Sequence, residues 1–326
     1  MLKKIATEGL NAADRLCLAA GKLVGERTGL LVSVLFHSLY PDRAHLGDPA
    51  LAPNQDVTVP VFRAFVAGML DTGYSVVTPA EVDAGLAEGG RHMMITFDDG
   101  YFNNTLALEV LREFRVPATF FISTGHVRDG KAFWWDAFSR RLSSQGLTGA
   151  AQRREIERIK QLKPEAIERE LLRRFGDRVL QPYGDLDRPF TVNELREFAA
   201  SPWVHLGNHT RGHAILTRCE PQDMARQISD CQRELYEWTG RLPIAIAYPN
   251  GNHSPAAVKA ATEAGLRLGF TVVPRPALLP LAAGPDRMTV GRFLFHGQRD
   301  IRRQCQMFGA RAIPSHWVRR LLHSAY

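Results

Sequence analysis

The 326-residue sequence has no apolar run approaching the ~20 residues that a membrane-spanning helix requires, so no transmembrane helix is expected. It has no internal repeat and no low-complexity tract, which argues against solenoid, fibrous and disordered classes. Cysteine is scarce. The four residues, Cys17, Cys219, Cys231 and Cys305, are widely spaced and form no Cys-x-x-Cys, which excludes a disulfide framework or a zinc knuckle and points to free thiols in a reducing compartment. The opening Met1-Leu2-Lys3-Lys4-Ile5-Ala6 carries the charge of a signal peptide, but Glu8, Asn11, Asp14 and Arg15 break up any apolar core, so export is not expected and a cytoplasmic location is. The formal charge is +7, yet no base-reading motif accompanies it, and a nucleic-acid partner is not expected.

What is present is an ordinary globular composition, 45% hydrophobic and 23% charged, arranged as short apolar runs alternating with helical patterns. Strand-like runs fall at 31–37, 74–77, 92–97, 117–122, 203–206, 243–248, 269–273 and 289–294. Between them, Met224, Ile228, Cys231, Leu235 and Trp238 recur at helical spacing, and Ser254-Pro255 to Gly265 has a helix's start and stop signals. Such alternation predicts parallel β/α units, compatible with either an open sheet or a closed barrel. Residues 131–200 break the rhythm with Phe133-Trp134-Trp135-Asp136, a charged helical stretch and the turn-rich Gln181-Pro182-Tyr183-Gly184-Asp185, and read as a helical insertion. Its aromatic start packs on the barrel or, in a functional reading led by Trp135, forms a wall that contacts a glycan.

Two segments carry chemistry. His92-Met93-Met94-Ile95-Thr96-Phe97 is an apolar strand that runs into Asp98-Asp99-Gly100, and Trp203-Val204-His205-Leu206 leads to His209 and His213. An aspartate and two histidines supply three ligands to a divalent ion and leave room for water, whose pKa the ion lowers. Neighbouring side chains on extended backbone face opposite ways, so the second carboxylate is left over for general base work. The i, i+4 spacing of the histidines suits one helical turn, and Gly212 between them equally suits a tight loop.

Thr96-Phe97-Asp98-Asp99-Gly100 and His209-Thr210-Arg211-Gly212-His213 with Leu216 resemble the first two motifs of the polysaccharide deacetylase family, also called the NodB-homology or carbohydrate esterase family 4 group. Ala247-Tyr248-Pro249-Asn250-Gly251 is similar to the Tyr-Pro-x-Gly variant of its third motif, and Val32-Ser33-Val34-Leu35-Phe36-His37 looks like its first barrel strand, which often ends in histidine. The resemblance implies a distorted (β/α) barrel, usually seven-stranded, with both motifs at strand C-terminal ends. It implies Asp98 as general base, and Asp99, His209 and His213 as ligands of one divalent metal, most often zinc. It implies further that a backbone N–H, here that of Asn250, helps the metal hold the carbonyl oxygen, and that Tyr248 and Pro249 line the substrate site. The chain departs from the fuller third motif, which carries an arginine where this sequence has Ala247; Arg292 is the candidate replacement as orienter of the base. The family's histidine acid, usually in a Leu-His pair near the C-terminus, is also missing, and Phe295-His296 is the nearest match.

The organisation expected is therefore an N-terminal helical segment at 1–29, a deacetylase barrel at 30–298 with its insertion, and a basic helical tail at 299–326. That tail holds six arginines against Asp300, interleaved with Trp317, Val318, Leu321 and Leu322, a pattern suited to the anionic inner face of a membrane. The expected activity is metal-dependent removal of an N-acetyl group from an amino sugar in a polysaccharide or lipid-linked glycan precursor. The alternatives are deformylation of a lipid-linked amino sugar and a non-catalytic carbohydrate-binding protein.

Overall fold

The computed structural model describes residues 29–46, 56–282 and 284–308. The expected N-terminal segment, apart from Gly29, and the basic tail beyond Phe308 lie outside the described residues. No helix among those described is long and apolar enough to cross a membrane.

In chain order the strands are β1 (Leu30–Phe36), β2 (Ser75–Val76), β3 (Arg91–Phe97), β4 (Ala118–Ile122), β5 (Val204–Asn208), β6 (Ala245–Ala247), β7 (Leu268–Phe270), β8 (Ala277–Leu278) and β9 (Phe293–Leu294). The helices are α1 (Val59–Asp71), α2 (Pro79–Ala84), α3 (Ala107–Phe114), α4 (Thr124–Asp129), α5 (Trp134–Ser144), α6 (Gly149–Lys160), α7 (Pro164–Phe175), α8 (Val192–Ala199), α9 (Pro221–Thr239), α10 (Pro255–Glu263) and α11 (Ile301–Phe308). β1 and β4 are buried at every position, as continuous apolar runs between two packed layers must be. Helix starts follow local chemistry: the Ser254 side chain caps α10 ahead of Pro255, and Thr191 and Glu194 form a reciprocal capping box on α8.

The strands run parallel in the order β7-β6-β5-β4-β3-β1. The sheet curls until its two ends share a partner. Val290 bridges Phe270 of β7, with Thr271 N–H donating to the Val290 carbonyl at 2.8 Å, and three residues further on β9 begins, pairing parallel with Val34 and Leu35 of β1. The ring is thus a distorted seven-stranded (β/α) barrel, and the segment around Arg292 is its closing stave. Of the eight expected strands, 74–77 is the one outside this ring. It contributes β2, which pairs only with the start of β3.

Alternation along the strands sorts the core into two layers. Leu31, Met94, Phe121, Ala245, Ala247, Leu268, Phe270 and Val290 fill the barrel. Outside, Phe36, Phe97 and Phe120 stack in sequence across β1, β3 and β4, at centroid distances of 5.2 and 4.9 Å, under α1, α3 and α8. This layer anchors the strand ends from which the acidic loop departs. Gly207 on β5 must lack a side chain, because a Cβ there would overlap the Phe121 ring.

The stretch 131–200 divides into two parts. α5, α6 and α7 enclose their own core of Ala137, Phe138, Leu142, Ile159, Ile167 and Leu171, whereas α8 places Leu195 and Phe198 in the barrel's outer layer. At the other end, α11 packs Cys305 and Phe308 against α1, so the first turns of the expected tail belong to the barrel wall. Cys219, Cys231 and Cys305 are free thiols, as expected.

Candidate metal and catalytic site

The acidic pair leaves the C-terminal end of β3 at the mouth of the barrel. The Asp98 N–H still donates to the Phe36 carbonyl of β1 at 3.0 Å, continuing the ladder by one residue, and at Asp99 the backbone turns into the left-handed region with φ 76°. The turn separates the two carboxylates, both at most 3% exposed. Four of the five non-glycine residues with positive φ among those described, Asp99, Thr210, His213 and Asn250, lie in the site loops. Strain gathered in this way is typical of loops whose geometry serves chemistry.

His209 and His213 converge through a tight loop, not a helical turn. Asn208 at the end of β5 accepts from the Thr210 N–H and donates to the Ile228 carbonyl of α9. The Thr210 hydroxyl accepts from Ala214, and Gln227 of α9 accepts from the N–H groups of both Arg211 and Gly212. Asn208 and Gln227 were not singled out from sequence; their role depends on a helix that follows much later in the chain. The loop brings the imidazole centroids to 4.9 Å.

The Nε2 atoms of His209 and His213 each lie 3.4 Å from Asp99 Oδ1, and the three donor groups fall within 4.8 Å of one another. Asp99 Oδ1 is buried and has no hydrogen-bond partner. The His209 Nδ1–H donates to the Ala247 carbonyl at 2.7 Å, which leaves Nε2 with its lone pair toward Asp99, the orientation a metal-ligating histidine takes. Burial holds the His213 pKa down at about 3, so this ring is a neutral donor. For His209, burial lowers the pKa, but the carboxylates of Asp98 and Asp99 outweigh it and raise it. The field that would draw a proton onto that ring equally favours a cation among the three donors. The donor set, its unsatisfied oxygen and the fixed tautomer all fit one divalent ion.

Asp98 is held separately. Arg292, fully buried on the closing stave, donates from Nη1 to Oδ1 at 2.6 Å and from Nη2 to Oδ2 at 2.7 Å. Its Nε donates to the Thr271 carbonyl and Nη1 also to the Thr96 hydroxyl, so the fork is fixed from three sides. Burial would raise the Asp98 pKa, but Arg292 first, then His209 and His37, keep it below the ordinary carboxylate value. Burial acts the same way on Asp99 and is outweighed by His209, His213 and His37. His37 is thus a site residue, expected from sequence only as the end of the first barrel strand. The signal was there: Phe36 pairs with Phe97, so the next residue of β1 stands beside Asp98.

The remaining candidates separate. Trp135 is partly buried with its ring 4.6 Å from that of His213. The Tyr248 ring, expected to line the substrate site, is fully buried in the outer layer with Leu216, Met224, Ile246 and Met288; alternation from Ala247 turns it away from the barrel interior. Pro249 is buried beside it, while Asn250 is exposed in the left-handed turn that follows. Neither Tyr248 nor Pro249 offers a surface to a sugar, which corrects that expectation. His296 follows β9, with its N–H and carbonyl both bound by the Gln304 side chain of α11.

The family profile described as polysaccharide deacetylase matches residues 86–269, more than half of the chain, and the chain belongs to that family. The family is one of hydrolases that act on the amide bonds of N-acetylated sugars, and this chain is a hydrolase of that class. Among curated proteins it is 21% identical over 260 residues to YxkH of Bacillus subtilis strain 168, by its own description a candidate polysaccharide deacetylase, covering 77% of this chain and 68% of YxkH. Among solved structures it resembles the Streptococcus pyogenes deacetylase PplD in complex with acetate, with TM-score 0.58 and 16% identity over 88% of this chain and 100% of that one. It is similar to IcaB from Ammonifex degensii, with TM-score 0.58 and 18% identity over 87% of this chain and 98% of that one. These structural likenesses establish the fold.

Proposed function

We propose that this protein is a metal-dependent deacetylase that removes N-acetyl groups from an amino sugar in a polysaccharide or a lipid-linked glycan precursor. Asp99, His209 and His213 hold the ion, with zinc as the first candidate, and Asp98 is the general base. The observation that carries the reading is the division of the acidic pair. One carboxylate has an unsatisfied oxygen 3.4 Å from each of two imidazole nitrogens, while the other, 3.9 Å from the same His209 nitrogen, is locked by a bidentate arginine.

When bound, a divalent ion at these three donors would acidify a water and polarise the acyl carbonyl. Asp98 accepts the water's proton as its oxygen attacks the acyl carbon. Arg292 fixes the carboxylate's plane and keeps it ionised at neutral pH, so the base is ready without a prior deprotonation. The Asn250 N–H is retained as the oxyanion donor, in line with its turn three residues after the Ala247 carbonyl that holds His209. For the proton that the departing sugar amine needs, we propose His37 in place of His296. His37 directly follows β1, whose last pair is Phe36 with Phe97, so it stands beside Asp98, and it acts on both acids in the direction that lowers their pKa. The Tyr-Pro-x-Gly segment then serves as structure: its tyrosine packs the wall while its backbone turns at the rim.

The test is metal analysis of purified protein combined with acetate and formate release from a panel of N-acylated amino sugars. One equivalent of zinc, acetate release, loss of activity with chelator and its return on adding zinc are expected, and His213→Gln should abolish both metal and activity. Formate release alone would move the reading to deformylation. Sugar binding with no acyl release from any substrate would overturn catalysis.

A further inference from the structure

The proposed chemistry does not account for one hydrogen-bonded chain linking the insertion to the acidic loop. Tyr101, two residues after Asp99, is 1% exposed, and its hydroxyl is 2.6 Å from Oδ2 of Asp136 and 2.8 Å from Nε1 of Trp135. An indole N–H can only donate, so the hydroxyl accepts from Trp135, and its single proton goes to Asp136. Phe133 lies against the Trp135 ring at 5.2 Å with an interplanar angle of 21°, and its own centroid is 4.2 Å from that of Tyr101. The indole is thus clamped on one face by Phe133 and at its nitrogen by Tyr101, and it meets His213 at 4.6 Å and 58°. Unlike Phe133 and Asp136, Trp135 keeps part of its surface in solvent.

We propose that Tyr101 and Asp136 are positioning residues that fix the Trp135 indole against His213, making the first turn of the insertion a wall of the catalytic cleft against which an apolar face of the acylated sugar packs. The inference rests on the deacetylase reading for its substrate. Packing alone would not require this arrangement. Phe133 and Trp134 already supply apolar contact, and a buried carboxylate is costly to desolvate unless its hydrogen bonds do something that a hydrocarbon cannot. What they do is set direction. With its proton on Asp136, the Tyr101 oxygen faces Trp135 as an acceptor, and the indole N–H is aimed at it. A ring so held also restrains the imidazole it touches, as groups surrounding a metal ligand commonly do.

The experiment is a mutant cycle in the full-length protein on Tyr101→Phe, Trp135→Phe and the double variant, with Asp136→Asn as the conservative control. Three readouts are taken: kcat and KM on an N-acetylglucosamine oligomer, zinc affinity by competition with a chelating dye, and the tryptophan fluorescence change on adding zinc. Tyr101→Phe is expected to lower kcat/KM about 10-fold, at the lower edge of the ~10–100-fold range for groups surrounding a metal ligand, and zinc affinity by a smaller, several-fold factor. Asp136→Asn keeps an oxygen to accept the Tyr101 proton and should stay within about 3-fold of wild type in both. In the Trp135→Phe background Tyr101→Phe should change zinc affinity less than about 2-fold, because no indole N–H remains to hold. Trp135→Phe should also remove most of the fluorescence change. Losses that multiply in the double variant, or a Tyr101→Phe protein with unaltered kcat/KM and zinc affinity, would overturn the proposal. Should Tyr101→Phe fail to fold, the same comparison is made in the Asp136→Asn background, where no buried carboxylate is stranded. A wild-type protein that releases no acyl group defeats the deacetylase reading by itself, while the zinc-affinity and fluorescence cycle still judges the clamp.

Discussion

The barrel mouth and the helical insertion are built on opposite principles. At the mouth, charged and polar groups are buried, their partners come from strands far apart in sequence, and the backbone is forced into left-handed turns at Asp99, Thr210 and His213. In the insertion the core is a small aliphatic and aromatic cluster between consecutive helices, and charges such as Glu170 and Arg173 pair locally on the surface. The first region gives up conformational freedom and solvation to hold a few atoms in place; the second needs only to fold. The difference locates function at the mouth. The insertion buries a few polar groups of its own, Ser139, Gln152 and Asp187 among them, and Asp136 is the one bound to Tyr101 beside the acidic loop.

The largest break in this contrast is expected at Asp98. Asp98→Asn should lower kcat/KM by about 10³–10⁴-fold through loss of the base, and should cost about 3–5 kcal/mol because the buried Arg292 loses its counter-charge. Denaturant melts of the single variant and of Asp98→Asn/Arg292→Met would separate the effects: the double variant should recover stability without activity. Next comes the acid. His37→Ala should reduce kcat about 10²-fold with KM little changed, and His296→Ala less than 3-fold; the reverse order would return the role to His296.

A smaller effect tests where the mouth's polar character ends. Burial, above all, raises the Asp136 pKa to about 7 from an ordinary value of 3.8. A carboxyl with a raised folded-state pKa binds its proton more tightly when folded, so its contribution to stability is complete below about pH 4 and is lost as pH rises through about 7. Thermal midpoints of wild type should therefore fall relative to Asp136→Asn between pH 5 and pH 8. The smallest effect belongs to the insertion's surface. Glu170→Ala removes an exposed pair with Arg173 and should change stability by less than about 0.5 kcal/mol, with activity unchanged.

Much of this was legible in the chain. The apolar runs before Asp98 and His209 became β3 and β5, and the stripe from Met224 to Trp238 became α9, because hydrophobic periodicity is a local property that burial enforces. Arg292 could be named as the partner of Asp98 only through the resemblance, and nothing in 194 residues of separation says that the two meet. Tyr248 shows the converse. Its segment matched a motif, yet the parity of a three-residue strand turned the ring into the wall.

Sequence alone determined which residues could perform this chemistry: two acids at the end of one strand, two histidines after another, and the short apolar segments that carry them. The tertiary structure decided how they divide the work. Barrel closure between β7 and β1 brings Arg292 onto Asp98, and the α9 contacts fold the histidine loop toward Asp99. The β1–β3 register sets His37 at their side. Each of these depends on a long-range strand pairing or helix contact, whose free energy comes from burying surfaces that no local stretch of chain contains.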